Sequence, residues 1–227
     1  MSGSTPTESW RGYTVRHETW RIAGDAFELT WPADVDGLLD LPRTVERFAK
    51  DEYLPYWAQP WPAAAMLAEA VLAGEPGRGR SAIDMGCGIG LVSLAAARRG
   101  YRVTAADYDE DALAFALGNA ERNRITLAAA ERIDYRQPWD GPRFACILGA
   151  DLLYEQRNAE PLVRWIDAAL EPDGQAWLSD PDRTAAQAFP DLAAAAGFDV
   201  RVEPVETTVP DGQVHRGRIW RLTRRTG

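Results

Sequence analysis

The stretch Ile83-Asp-Met-Gly-Cys-Gly-Ile-Gly90 constrains the fold more than any other part of the chain. A short apolar run, Ser81–Met85, leads into it, and a helical pattern, Leu91–Arg99, leads out until Gly100 stops it. Three alternating glycines at a strand-to-helix junction let the backbone turn tightly and let a ligand approach the main chain. The pattern is G-x-G-x-G. Leu91 stands where a dinucleotide-binding fingerprint would require glycine. A parallel strand–helix–strand unit is therefore expected here, with its ligand edge at the carboxyl end of the strand.

The rest of the chain repeats this alternation. Tyr101–Ala106 reads as strand and Asp109–Asn123 as helix. Thr126–Ile133 is a strand, although its alanines also fit a helix. Phe144–Gly149 is strand, Ala159–Leu170 helix, Gln175–Leu178 strand and Ala185–Ala196 helix capped by Gly197. Two strands, Phe198–Glu203 and Val214–Leu222, close the chain without a helix between them, which predicts an antiparallel edge pair. Upstream, residues 13–31 predict a hairpin turning at Gly24-Asp25, and residues 43–52 an amphipathic helix. The segment Tyr53-Leu-Pro-Tyr-Trp-Ala-Gln-Pro-Trp-Pro62 is too rich in proline for regular helix. A helix follows from Ala63 to about Gly74, with Pro62 suited to its first turn. The expectation is α/β: a mostly parallel sheet with helices on both faces, residues 61–227, preceded by an extension over 1–60.

Composition bounds the function. With 227 residues and 46% apolar content, the chain can bury one α/β core. No apolar run reaches the length of a membrane span, and the polar start, Met1 to Glu8, has no apolar signal core. A cytoplasmic, monomeric protein is expected. A net charge of -9 does not suit non-specific nucleic-acid binding. It suits a basic protein segment or a small cation, or serves solubility alone. Cys87 and Cys146 fall near opposite ends of neighbouring strands, beyond the roughly 7 Å a bridge allows, so free thiols are expected. His17 and His215 lack metal-ligand spacing and read as surface residues; no metal site is expected.

The second strand ends at Asp107, 21 positions after Gly86. A carboxylate there reaches both hydroxyls of a ribose and accepts a hydrogen bond from each. Its structural alternative is a helix N-cap, a role Asp109 fills better. Asp84, two residues before the first glycine, can anchor the loop or reach an amino group of the ligand through water.

Loop and acid together resemble the first motif of the class I, Rossmann-like methyltransferases, over about residues 60–224. That family's seven-stranded sheet ends in an antiparallel pair. Three further segments are similar to methyltransferase family 16, which contains protein lysine methyltransferases such as the one acting on the electron-transfer flavoprotein β-subunit. They are Leu54-Pro-Tyr-Trp-Ala-Gln-Pro-Trp-Pro-Ala-Ala64, Ala150-Asp-Leu-Leu-Tyr-Glu155 and Leu178-Ser-Asp-Pro-Asp-Arg183. The resemblance implies S-adenosylmethionine as cofactor, held by Gly86, Cys87, Gly88 and Gly90 with Asp84 and Asp107. It places Trp61 against the cofactor, Asp134 and Tyr135 at the adenine, and Ala150 in the adenine pocket. Tyr135 departs from the family's usual tryptophan, but a phenol also stacks.

Asp151, at the carboxyl end of a strand, is the candidate that orients an acceptor amine. Tyr154 is its companion in shaping the pocket, and Tyr56 and Trp57 can hold a cation by cation–π attraction. Each aromatic also has a purely structural reading as a packed core residue, and Asp180 with Arg183 reads equally as a local ion pair. Methyl transfer from a sulfonium is an in-line displacement that needs no metal, only placement and exclusion of water. The expected function is N-methylation of a protein lysine. The alternatives are methylation of a small nicotinamide-like amine and cofactor binding without catalysis. A long N-terminal lid would favour the small amine, and an open acidic groove the protein.

Overall fold

The computed structural model describes residues 8–225. The polar stretch over residues 1–7 lies outside them. Three strands open the fold: β1 (Glu8–Trp10), β2 (Tyr13–Ile22) and β3 (Asp25–Pro32), an antiparallel sheet in that order. The β2–β3 turn is Ala23-Gly24, one residue earlier than expected. Both residues have positive φ (49° and 90°), the turn that matches strand twist, and this leaves Asp25 paired with Ile22. The strand β1 was not anticipated, because three residues carry no legible alternation.

Helix α1 (Pro42–Asp51) and helix α2 (Pro62–Ala73) each carry proline in the first turn, where no N–H is needed. The alternating part follows: β4 (Ser81–Met85), α3 (Leu91–Arg98), β5 (Arg102–Asp107), α4 (Glu110–Arg122), β6 (Ala129–Arg132), β7 (Phe144–Ala150), α5 (Ala159–Ala169), β8 (Leu170–Asp180), α6 (Phe189–Ala195), β9 (Phe198–Thr208) and β10 (Val214–Arg224). The sheet order is β6-β5-β4-β7-β8-β10-β9. Strands β4 to β8 are parallel, and β10 runs antiparallel to both neighbours. This is the α/β sheet expected, with its antiparallel closing pair.

Several boundaries moved. Strand β9 runs through Pro204, because it is an edge strand and a residue without an N–H is tolerated there. Helix α6 is shorter than expected: Pro190 is confined to a first turn, and residues 184–186 form a separate 3-10 turn. The edge strand β6 keeps only four residues, half-buried or exposed.

Strand periodicity divides the core. Ala82, Cys146, Leu148 and Ile219 face the α2, α3 and α4 side. Ile83, Ile147 and Trp220 face α5 and α6. The first layer also takes in Tyr13, Trp20, Phe27 and Leu29, so the N-terminal sheet shares its core with the parallel domain. Both cysteines are free and buried. His17 is exposed and His215 half-buried. Among the described residues no helix is long and apolar enough to cross a membrane, and no cluster of three or more metal-ligating side chains occurs.

Candidate functional site

A cleft of about 260 Å³ opens at the carboxyl ends of β4, β5 and β7. Its floor is the glycine loop. Gly86, Gly88 and Gly90 have φ of 65°, 51° and 90°, a region L side chains avoid. Gly86 and Gly88 line the cleft. Gly90 faces the other way: a Cβ there would lie 2.9 Å from the Cα and Cβ of Ala116, so its role is the close packing of α3 on α4. The N–H of Cys87 donates to the Ala106 carbonyl at 2.9 Å, tying the loop to β5. The Cys87 side chain is buried outside the cleft lining, and burial pushes its thiol well up.

Asp107 ends β5 beside this loop and is buried. Its carboxylate accepts from the Gly88 N–H and from the Asp109 N–H, both at 3.0 Å. Burial pushes its carboxyl up to about 6, against the pull of those hydrogen bonds. Asp84 is buried behind the loop. It accepts from the Ser93 hydroxyl at 2.6 Å and from the Ser93 N–H, and desolvation pushes it up to about 7. It does not line the cleft, and its hydrogen bonds run to the first turn of α3.

Asp109 is a hub. It caps α4 by accepting from the Asp111 N–H at 2.9 Å. It also accepts from Arg47 at 2.8 Å and from the Tyr53 hydroxyl. The Arg47 guanidinium lies 3.4 Å from the centre of the Tyr53 ring. Thus α1 and the segment after it are fastened to the residue that also donates to Asp107.

On the far wall, Asp134 and Tyr135 line the cleft. Asp134 is gripped by the Arg136 guanidinium, with Nε and Nη2 each at 2.8 Å. The Tyr135 hydroxyl donates to the Leu152 carbonyl at 3.4 Å, and burial raises its pKa. Ala150 ends β7. Asp151 follows in left-handed conformation (φ 55°), its N–H donating to the Ser179 carbonyl at 2.9 Å.

The aromatic mouth divides its labour. Trp61 donates its indole N–H to the Tyr56 carbonyl at 2.6 Å. Tyr56 keeps 42% of its surface exposed and lies 5.0 Å, ring to ring, from Tyr154. Trp57 was expected to share the cation-holding role, but its ring packs in the core, 5.3 Å from Phe115 and 5.9 Å from Tyr13. Of the described residues up to 60, only Leu54, Tyr56 and Trp57 line the cleft.

Asp180 and Arg183 do not form the local ion pair that their spacing allows. The Asp180 carboxylate accepts the Arg183 backbone N–H at 2.7 Å, while the guanidinium reaches Asp151. The structure thus gathers Trp61, Gly86, Gly88, Asp107, Asp134, Tyr135, Ala150, Asp151 and Tyr154 around one cleft, and leaves Asp84, Cys87 and Gly90 behind it. The sequence reading passed over Tyr108, Arg136 and Leu152, which also line it. Tyr108 and Arg136 had a signal: each directly follows a residue singled out as a site candidate. Leu152 had the same signal, since it directly follows Asp151.

Comparison with known proteins agrees with this architecture. The family described as a methyltransferase domain matches residues 57–222. The electron transfer flavoprotein beta subunit lysine methyltransferase of Danio rerio is 32% identical over 57% of this chain and 51% of its own length. The ribosomal protein L11 methyltransferase of Colwellia psychrerythraea is 38% identical over 44% of this chain and 31% of its own. The chain therefore spans about a third to about half of the length of these curated relatives. Among solved structures, the T. thermophilus 16S rRNA N2 G1207 methyltransferase, in complex with AdoMet and guanosine, superimposes with a TM-score of 0.64. That match has 20% identity and covers 93% of this chain and 51% of the other. At that identity the likeness concerns the fold. With more than half its length matched by the family, and with the sheet order and glycine loop described above, the chain belongs to the methyltransferase-domain family and has the class I, Rossmann-like fold.

Proposed function

We propose that the chain transfers a methyl group from S-adenosylmethionine to an amine, the side chain of a lysine in a protein substrate. The observation that carries the cofactor is the buried Asp107 carboxylate, closed onto the Gly88 N–H at the floor of the cleft. The residues present fit that cofactor. Two left-handed glycines leave the loop backbone bare, Asp107 supplies acceptors for a ribose, and Tyr135 and Ala150 supply an adenine wall. When bound, S-adenosylmethionine supplies a methyl group already activated on a sulfonium.

The chain's own task is placement. Asp151 stands at the end of β7, where it can orient an acceptor nitrogen. Tyr56, Tyr154 and Trp61 exclude water around it. A lysine amine has a reference pKa of about 10.4 and must lose a proton before it attacks; a partly desolvated pocket lowers that value, and the Asp151 carboxylate or a phenol can pass the proton out to solvent. The protein-lysine reading is supported by relatives whose names place their action on the flavoprotein β-subunit and on ribosomal protein L11. It is also supported by the mouth, where, among the described residues, the N-terminal extension contributes only Leu54, Tyr56 and Trp57.

The test is to incubate the purified chain with methyl-labelled cofactor and a cell lysate. Label in a protein band supports the reading, and label confined to the small-molecule fraction transfers it to a small amine. The chain has a single lysine, Lys50, which limits lysine self-labelling to one position. Calorimetry with S-adenosylhomocysteine and NAD checks the cofactor separately. Full turnover by Asp151→Asn would remove that acid from the mechanism.

A further inference from the structure

The acid at the acceptor end of the cleft is already occupied. Arg183 donates to both oxygens of Asp151, Nε at 2.5 Å and Nη2 at 2.7 Å, a two-pronged charge-assisted pair. The Asp151 side chain is 7% exposed and that of Arg183 35%, so a buried acid is matched by a cation that can still move. The guanidinium fills the seat an acceptor ammonium would need.

Beside it is a second carboxylate. Asp180 ends β8, one residue beyond Ser179, which pairs with Ala150 just before Asp151, and it is fully buried. Its Oδ1 accepts the Arg183 backbone N–H at 2.7 Å. Its Oδ2 is buried and makes no hydrogen bond. Arg218 feels the same acid but is committed elsewhere, to an ion pair with Asp182 and to the face of the Trp220 ring, 5.6 Å away. Desolvation pushes the Asp180 carboxyl up to about 6. The charge of Asp151 adds to that rise, and Arg218 and Arg183 oppose it. A buried carboxylate oxygen without a partner is costly, and native chains keep few of them. This one lies within the electrostatic reach of the guanidinium.

We propose that Arg183 is a resident stand-in for the acceptor: it holds Asp151 until a cationic amine claims that carboxylate, and its guanidinium then turns to the open oxygen of Asp180. The inference rests on the reading of this cleft as a methyl-acceptor site. It adds a selection rule. A cation replaces a cation on Asp151, and the incoming charge balances the two acids and one arginine already present. A neutral hydroxyl acceptor has no means of displacing the guanidinium, so the site selects for amines that arrive protonated.

The probe is n-butylammonium, titrated by calorimetry into the full chain saturated with S-adenosylhomocysteine. An occupied seat lowers apparent affinity by the fraction of time it is closed. Arg183→Gln is therefore expected to bind the probe about tenfold or more tighter than wild type. Neutral n-butanol should show no such gain, and adding Asp151→Asn to Arg183→Gln should abolish it. Asp180→Asn keeps the acceptor for the backbone N–H but removes the alternative seat. It should weaken probe binding several-fold in the wild-type background and leave it unchanged beside Arg183→Gln, a non-additivity that a merely structural residue would not produce.

Equal affinity of wild type and Arg183→Gln, with S-adenosylhomocysteine binding intact in both, overturns the stand-in while leaving the cofactor reading in place. Failure of wild type to bind S-adenosylhomocysteine overturns that reading, and the stand-in with it. If Arg183→Gln alone fails to fold, Arg183→Lys loses the two-pronged grip and is expected to tighten the probe to a lesser degree; no change there also overturns the proposal.

Discussion

Asp107 accepts two backbone N–H groups in the structure, yet burial still holds its carboxyl up to about 6. To receive two ribose hydroxyls it must be ionised, so affinity for S-adenosylhomocysteine should fall as pH drops through that value. Calorimetry across that range checks this, and a flat profile would remove Asp107 from the sugar. Asp84 carries a stability statement of the same kind. Its pKa is raised to about 7, first by desolvation, and so lies above its unfolded value. The native state then binds more protons than the unfolded state between the two values, and stability falls as pH rises through that window. Asp84→Asn, which can still accept from Ser93, should stabilise the fold by about 1–3 kcal/mol near pH 8 and by less near pH 5, as measured by urea denaturation. At this scale the sequence was readable where an acid follows a parallel strand, which is why Asp107 and Asp151 could be named, whereas Ala150 came only from the family resemblance. The partner of Arg183 was not readable. Asp180 is three positions away in sequence, but Asp151 is brought beside the guanidinium only by the β7–β8 register.

Helix α4 is tied to the N-terminal sheet by Asn119, beside bonds from its C-cap Asn123 to both backbone groups of Glu28 and from Tyr13 to Asp111. Asn119 is fully buried. It accepts from the Thr30 N–H at 2.8 Å and donates to the carbonyls of Thr30, at 3.0 Å, and Ile89, at 2.9 Å. Strand β3, helix α4 and the glycine loop thus meet at a single amide. Asn119→Ala strands three buried backbone groups and should cost about 2–4 kcal/mol in urea denaturation; a loss below about 1 kcal/mol would show that water or the backbone takes over its bonds. The alternating strands and helices were legible because apolar period and glycine stops agree there. The misreadings share a cause, the neighbourhood of each element. Pro204 ends a strand in isolation but not on an open sheet edge, and the tight turn at Arg11-Gly12 that creates β1 pays no visible tribute to hydrophobic pattern.

The whole molecule reads as one packed body among the described residues, because Tyr13, Phe27 and Leu29 enter the same core as Leu91, Val103 and Phe115. Sequence pattern separated an extension from a domain at about residue 60 because composition changes there. The shared core is set by the way β3 lies on α4, which no local pattern encodes. The hub at Asp109 has a consequence at this scale. Its N–H donates to Asp107, and its carboxylate holds Arg47 and Tyr53 of the N-terminal segment. Loading a nucleoside should therefore slow amide exchange along α1, far from any atom the nucleoside touches. Tyr53→Phe, which cuts one of those ties, should weaken nucleoside affinity and reduce that protection together. Thermodynamic reciprocity makes the two effects one quantity, so a variant that altered one without the other would show that helix and sugar are not wired together.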